Sequence, residues 1–137
     1  MLRALVAIVL SLAAMPALAQ GPPPVYCNTG FAQAAQTGPL AITRIVTGAA
    51  GQAIYLCGWN INNTGGAAVT VTLSSGTGTN CGTGTVTMVT LTVTNGQTNI
   101  EHGPSMVQLP PANDLCWTLT GTGTFNGTIY YGLYGAR

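Results

Sequence analysis

Few side chains in this sequence could do acid, base or nucleophilic chemistry. Its 137 residues contain one histidine, His102, two carboxylates, Glu101 and Asp114, and no lysine. A nucleophilic triad would need His102, one carboxylate and a serine, but no serine lies in a nucleophile elbow. The two carboxylates could also serve glycoside hydrolysis, although both stand beside turn signals, where such residues commonly cap loop amides. We therefore predict no catalytic residues and no enzyme activity, and keep a small secreted hydrolase using these three residues as a less favoured alternative.

The four cysteines, Cys27, Cys57, Cys81 and Cys116, are separated by tens of residues. A zinc site needs closely spaced ligand pairs, and only His102 could add a further ligand, so we predict no metal and no cofactor. Two disulfides are the simplest alternative, and we expect them to lock the layers of the fold together. Four thiols allow three pairings, among which sequence alone does not choose. The apolar strand context of Cys57 and Cys116 favours Cys57 with Cys116 and Cys27 with Cys81.

The first residues have the pattern of a secretory signal peptide. Arg3 is followed by an apolar run from Ala4 to Ala14 and by the small-x-small site Ala17-Leu18-Ala19. We predict that residues 1–19 form a signal peptide cleaved after Ala19. The run is too short to cross about 30 Å of hydrocarbon, so no membrane insertion is expected after cleavage. The predicted location is secreted, periplasmic or at the cell surface.

Side-chain charge almost disappears from the predicted mature chain. It keeps Arg44, Glu101, Asp114 and Arg137, two positive and two negative groups that cancel. Long-range attraction to phosphate is therefore weak, and we expect no nucleic-acid partner. The expected partners are a protein or glycan surface, with self-association as a further mode.

Residues 20–25 are Pro-rich, which predicts an extended segment, and residues 26–137 are predicted to form a single domain. Regular stretches in that domain alternate with period two, and Ala32 to Ala35 would form one helical turn at best. The pattern predicts an all-β, antiparallel β-sandwich that is jelly-roll-like, with about eight short strands. The candidate strands are Leu40 to Val46, Ala53 to Asn62, Ala67 to Ser74, Gly84 to Thr94, Thr98 to Glu101, Ser105 to Leu109, Leu115 to Thr120 and Gly123 to Leu133.

Local signals refine three of these strands. Thr87-Met88-Val89 interrupts an alternating run, which predicts a β-bulge. Asn63-Thr64-Gly65-Gly66 and Asn95-Gly96 offer positive-φ positions, so each is expected to close a hairpin. Pro110-Pro111 should end a strand, because proline cannot donate to the ladder.

Tyrosines near the end of the chain are the best candidates for a contact surface. Neighbouring residues of a strand point to opposite faces, so only one of Tyr130 and Tyr131 faces the core. The other, together with Tyr134, is the predicted contact surface. Alternating threonines in the strands raise an ice-binding hypothesis, which the lack of a fixed sequence repeat disfavours.

Four segments of the chain are similar to known sequences. They are Tyr55-Leu56-Cys57-Gly58, Gly76-Thr77-Gly78-Thr79-Asn80-Cys81-Gly82-Thr83-Gly84, Leu115-Cys116 and Gly127-Thr128-Ile129-Tyr130-Tyr131. On these segments the chain resembles uncharacterised Gly/Thr-rich, four-cysteine β-sandwich proteins associated with bacteriophage virions and bacterial secretion. The resemblance implies a jelly-roll-like surface or decoration module without an active site. The signal peptide favours a secreted bacterial protein or a phage-encoded one exported by its host.

The leading functional hypothesis is therefore a non-enzymatic, extracellular structural or adhesive module. A fimbrial-type subunit that assembles by strand addition is the alternative, since Ile129, Tyr131 and Leu133 alternate in the final strand. A hydrolase and an ice-binding protein are less favoured.

Overall fold

A computed structural model of the chain describes Cys27 and residues 29–135, without the side chains of residues 32–35 and 104–106. The predicted signal peptide and the Pro-rich segment lie outside the described residues. Eight strands are present in the described part of the chain. They are β1 (Thr29–Thr37), β2 (Leu40–Val46), β3 (Gln52–Gly65), β4 (Val69–Thr77), β5 (Thr83–Val93), β6 (Thr98–Gln108), β7 (Asp114–Thr120) and β8 (Thr124–Gly135). A 3₁₀ segment, Thr79–Cys81, lies between β4 and β5.

The strands form two antiparallel sheets of four strands each. The first sheet has the order β1-β8-β3-β6, and the second has the order β2-β7-β4-β5. Of the described strands, only β4 and β5 are both consecutive in the chain and paired within one sheet, so the remaining connections pass between sheets. This order is that of an eight-stranded jelly roll. The predicted all-β, jelly-roll-like sandwich is confirmed.

Two strand assignments differ from the prediction. The region of Ala32 to Ala35, expected to form a helical turn at best, belongs to β1, which pairs with β8. Its alanine residues have low β propensity, and pairing with the neighbouring strand overrides that preference. The two predicted strands at Thr98 to Glu101 and Ser105 to Leu109 are one strand, β6, with an irregular register.

The two turn segments expected to close hairpins instead connect the sheets. Asn63 to Gly66 leads from β3 in the first sheet to β4 in the second, and Asn95-Gly96 leads from β5 back to β6. Both segments contain the expected positive φ, at Gly66 and Gly96. Local turn chemistry was therefore predicted correctly, but it does not determine whether the next strand pairs in the same sheet.

The buried side of each strand follows the predicted alternation. Val89, Leu91 and Val93 of β5 pack against the core, and the register shift at Met88 confirms the predicted bulge. Strand β6 ends at Gln108, just before Pro110-Pro111, as expected. The core between the sheets consists of Val46, Ile54, Leu56, Trp59, Ile61, Val69, Val71, Leu73, Val93, Leu109, Leu115, Trp117, Leu119, Phe125 and Ile129.

Both disulfides form, but the favoured pairing is wrong. The bridges are Cys27–Cys57 and Cys81–Cys116. Cys116 lies between the core residues Leu115 and Trp117 of the second sheet, so it points away from the core, toward the 3₁₀ segment. Cys57 belongs to the first sheet and lines a cleft on the opposite side of the sandwich. Two cysteines that face away from each other on different sheets cannot approach to bonding distance.

Neither bridge joins the two layers. Cys27–Cys57 ties the chain before β1 to β3 of the first sheet, and Cys81–Cys116 ties the β4–β5 connection to β7 of the second. The expectation that the disulfides lock the sheets together is therefore wrong, and the sheets are held by their shared core. The bridges indicate an oxidising, extracellular or periplasmic environment. The described residues include no helix with the length and apolar composition needed to cross a membrane.

Candidate ligand-binding face

The outer face of the first sheet, which we call the recognition face, is built by β3, β6 and β8. Trp59 and Ile61 of β3 lie in the core, so the alternate residues Asn60 and Asn62 point outward. On β8 the same alternation turns Asn126, Thr128 and Tyr130 outward. Each of these five side chains is partly accessible to solvent. Strand periodicity thus places amides, a hydroxyl and an aromatic ring on one surface.

The amides form a short row across two strands. Asn62 lies directly opposite Asn126, and Asn60 lies opposite Thr128. On its other side Asn62 faces Thr98 of β6, whose hydroxyl oxygen is 3.3 Å from Asn62 Oδ1. Amide side chains both donate and accept hydrogen bonds. We call Asn60, Asn62, Asn126 and Thr128 the amide row. Its side chains can therefore donate hydrogen bonds to the hydroxyl groups of a ligand and accept hydrogen bonds from them.

Two rings meet beside this row. The centroids of His102 and Tyr130 are 4.9 Å apart, with their planes tilted by 55°. Both residues are cross-strand partners of Gly58, His102 on β6 and Tyr130 on β8. Strands on either side of β3 lie about 9.5 Å apart, and the two rings lean toward each other across this distance. Position 58 requires glycine for a separate reason, because a Cβ there would overlap the carbonyl oxygen of Glu101.

The ring pair borders an open cleft of ≈ 500 Å³. The Cys27–Cys57 disulfide and Gly103 complete its lining, and Cys27 Sγ lies 3.8 Å from the carbonyl oxygen of Gly103. The cleft lies where the register of both strands shifts. One lies between Leu56 and Gly58 of β3, and on β6 the paired positions jump from His102 to Val107. This volume is within the range of small-ligand sites.

The predicted contact tyrosines separate as expected from strand alternation. Tyr131 packs against the core, so Tyr130 is the outward member of the pair. Tyr134 forms an edge-to-face contact with Tyr55 on the same face, with ring centroids 5.6 Å apart. The recognition face therefore holds two aromatic pairs, Tyr130 with His102 and Tyr134 with Tyr55.

The three residues of the hydrolase alternative are not brought together. Glu101 and His102 are neighbours on β6 and so point to opposite sides of the strand. Asp114 begins β7 in the second sheet and is buried, where Oδ1 accepts a hydrogen bond from the Gly48 N–H at 2.8 Å. Its Oδ2 lies 3.3 Å from Arg44 Nη1. The carboxylate of Asp114 is thus fully engaged in holding the loop before β3.

Sequence reasoning missed two features of the site. His102 was considered only for catalysis, and its ring contact with Tyr130 depends on β6 and β8 flanking the same glycine. The amide row was missed because its members come from strands separated by more than 60 residues. Alternation within β3 and β8 already turned these asparagines outward, so the missing information was the pairing of the two strands.

Comparisons with known proteins leave the family of this chain open. No protein-family model matches the chain, and no curated protein matches it. A solved structure described as the crystal structure of PirA is similar to it, with 16% sequence identity and a TM-score of 0.37. The match covers 74% of this chain and 82% of that chain. A similarity at this level carries no argument about function.

Proposed function

We propose that this protein is an exported, non-enzymatic adhesive module that binds neutral glycans through the recognition face. The single observation behind the proposal is that the rings of Tyr130 and His102, the two cross-strand partners of Gly58, meet beside the amide row. Aromatic rings stack on the apolar C–H faces of sugar rings, and amides hydrogen-bond to sugar hydroxyls. Together they supply the two kinds of contact that a neutral sugar requires.

Charge supports a neutral ligand. The described charged side chains are Arg44, Glu101 and Asp114. Arg44 and Asp114 belong to the second sheet, and Glu101 points away from the side of β6 that carries His102. A phosphate or another acidic ligand would therefore find no fixed positive partner on the recognition face.

No specific observation favours assembly by strand addition. Strand β8, the final strand of the described chain, pairs with β1 on one side and β3 on the other. Its alternating apolar residues are thus used within the chain, which leaves the adhesive module as the function that we propose.

A glycan array probed with disulfide-bonded protein tests the proposal. We expect binding to neutral glycans, weakened about tenfold or more in Tyr130→Ala, a loss of about 1.4 kcal/mol. Tyr130→Phe keeps the ring and should retain most of the affinity. Val86→Ala, on the exposed edge strand of the second sheet, is the matched control and should bind as the wild type does.

Three results would overturn the proposal. They are the absence of binding to any neutral glycan, equal binding by wild type and Tyr130→Ala, and cleavage of a bound glycan. Cleavage is followed by mass spectrometry of the glycan after incubation. If cleavage disappears in Glu101→Gln or Asp114→Asn, the chain is a hydrolase instead.

A further inference from the structure

The outer face of the second sheet presents a regular array of threonines, which we call the threonine grid. Its members are Thr70 and Thr72 of β4, Thr90 and Thr92 of β5, and Thr118 and Thr120 of β7. Thr70 lies opposite Thr92 on one side and Thr120 on the other. In the same way Thr72 lies opposite Thr90 and Thr118. The six residues therefore form two parallel rows across three adjacent strands.

The spacing of the grid follows from strand geometry. Residues two apart on a strand are separated by about 6.8 Å, and neighbouring strands by about 4.8 Å. Adjacent strands rotate by about 20–25°, which moves the corner residues out of the central plane by only roughly 1.3 Å over so small an array. Antiparallel register thus places the six threonines in a regular two-dimensional array without any repeat in the sequence. This removes the reason for which ice binding was disfavoured.

The grid rests on a rigid support. Val69, Val71 and Leu73, which alternate with the threonines of β4, are fully buried in the core. On β7 the corresponding inward residues are Trp117 and Leu119, which are 2% and 1% exposed. A close-packed interior resists deformation, so the threonines are held in fixed relative positions before any ligand arrives.

The chemistry of the grid is neutral and periodic. The hydroxyl oxygens of Thr70 and Thr92 are 3.0 Å apart and share a hydrogen bond. The other four hydroxyls have no hydrogen-bond partner within the described part of the chain. Each threonine offers a hydroxyl that donates and accepts, with a methyl group that limits the arrangements open to adjacent water.

We infer that the threonine grid binds the surface of ice. The surface of ice is an uncharged, regularly repeating array of hydrogen-bond donors and acceptors, and the grid is likewise uncharged, regularly spaced and able both to donate and to accept hydrogen bonds. A polyanion or a cationic surface would need a fixed charge, and none of the six side chains has one. This inference is independent of glycan binding, because the grid and the recognition face are the outer faces of different sheets.

Ice-affinity partitioning of the disulfide-bonded protein tests the inference. A dilute solution is frozen slowly onto a cold probe, and the protein fraction incorporated into polycrystalline ice is compared with that of an inert protein of equal size. We expect enrichment of the wild type in ice and inhibition of ice recrystallisation. Thr90→Tyr places a bulky ring in the grid at an exposed strand position that favours aromatic residues, and it should reduce incorporation to the inert level.

Thr98→Tyr is the matched control, since Thr98 is an exposed threonine on the edge strand of the first sheet. It should partition as the wild type does. Thr92→Lys provides a second grid variant if Thr90→Tyr does not fold, as judged by circular dichroism.

The inference fails if the wild type is excluded from ice like the inert protein. It also fails if the grid variants and the wild type partition equally. Binding to microcrystalline cellulose that is lost in Thr90→Tyr, without incorporation into ice, would assign the grid to a crystalline polysaccharide and overturn the inference. None of these results affects the glycan-binding test, which depends on Tyr130.

Discussion

The outer faces of the two sheets differ in how much of their surface is covered by the chain itself. On the second sheet, the 3₁₀ segment Thr79–Cys81 packs against β2, β4 and β7. Its own Cys81 is buried, as are Cys116 of β7 and Ser74 of β4. On the first sheet, Cys57 is buried, but His102 and Tyr130 at the cleft and the side chains of the amide row remain at least partly exposed. The outer face of the second sheet is thus covered at one end by the β4–β5 connection. The outer face of the first sheet is open along its aromatic and amide residues.

We expect the covered region of the second sheet to contribute mainly to stability and the open face of the first sheet to contribute mainly to recognition. Burial of a disulfide and of an ion-paired carboxylate on the second sheet makes that region costly to disturb. Partly exposed rings and amides on the first sheet contribute less to folding, so they can be replaced without unfolding the protein. The following predictions are arranged by the size of the expected effect on stability.

The largest effect is expected from removal of the Cys81–Cys116 bridge. The two bridges close loops of similar length, with sequence separations of 35 for Cys81–Cys116 and 30 for Cys27–Cys57. Loop entropy alone therefore predicts about 4 kcal/mol for each. Cys81 and Cys116 are both completely buried, whereas Cys27 is partly exposed. We expect Cys81→Ala/Cys116→Ala to lower the free energy of unfolding by roughly 4–5 kcal/mol, and Cys27→Ala/Cys57→Ala by roughly 3–4 kcal/mol.

The local backbone adds to this difference. Asn80 and Cys81 both have positive φ, a conformation that non-glycine residues keep only where the surroundings hold it. Loss of the bridge should therefore release the 3₁₀ segment and expose Ser74. Urea denaturation of both double variants measures the ranking. Equal losses of free energy, or a larger loss for Cys27→Ala/Cys57→Ala, would show that the difference in burial does not make the second sheet the more stabilising region.

A smaller but still large effect is expected at Asn63, where the chain passes from one sheet to the other. Its side chain is fully buried, and Nδ2 donates hydrogen bonds to the carbonyl oxygens of Ala67 and Val93, both at 2.9 Å. Its backbone N–H donates to Gln97 O at 3.0 Å. One residue thus holds both turn segments that connect the sheets.

Asn63→Ala would remove a buried hydrogen bond to Val93 O and a partly buried one to Ala67 O, and we expect a loss of about 3 kcal/mol in the free energy of unfolding. Asn62→Ala, the neighbouring asparagine on the exposed side of β3, is the control and should cost about 1 kcal/mol or less. Thermal and urea unfolding compare the two. Similar losses in both variants would mean that the connections between the sheets do not depend on this side chain.

Asp114 tests the buried carboxylate of the second sheet. The side chain of Asp114 is 8% exposed and that of Arg44 is 44% exposed. Removal of the carboxylate leaves the N–H of Gly48 without its acceptor, so Asp114→Ala should cost about 2 kcal/mol. Arg44→Ala removes only a half-exposed ion pair and should cost less than about 1 kcal/mol. The reverse order in urea denaturation would show that the ion pair, rather than the hydrogen bond to the loop, provides the stability.

The sequence determines much of this fold through alternation. Seven of the eight strands were anticipated, and the bulge at Met88 followed from two adjacent apolar residues. Alternation also predicted that one of Tyr130 and Tyr131 would face outward. These inferences succeed because they depend on residues close in the chain, where strand geometry is fixed by local stereochemistry.

Predictions that needed pairing between distant strands failed. Cys57 and Cys116 have similar sequence surroundings, yet they face opposite outer sides of the sandwich. The central residues of β1 have low β propensity, and the strand forms by pairing with β8. The alignment of the threonine grid likewise depends on the register of β4 with β5 and β7. The pairing of distant strands depends on how the whole core packs, so it cannot be predicted from any single segment of the sequence.

The smallest effect on stability is expected at Tyr130, where the effect on binding should be the largest. Its ring is partly exposed and packs on the exposed His102 rather than in the core. Tyr130→Ala should therefore lower the free energy of unfolding by about 1 kcal/mol or less, while neutral-glycan binding is lost. Tyr131→Ala is the opposite control, since Tyr131 packs against the core and its loss should destabilise the fold by more than that of Tyr130. If Tyr130→Ala unfolded as readily as Asp114→Ala, the recognition face would be a structural surface, because its rings would then be needed to hold the sheet.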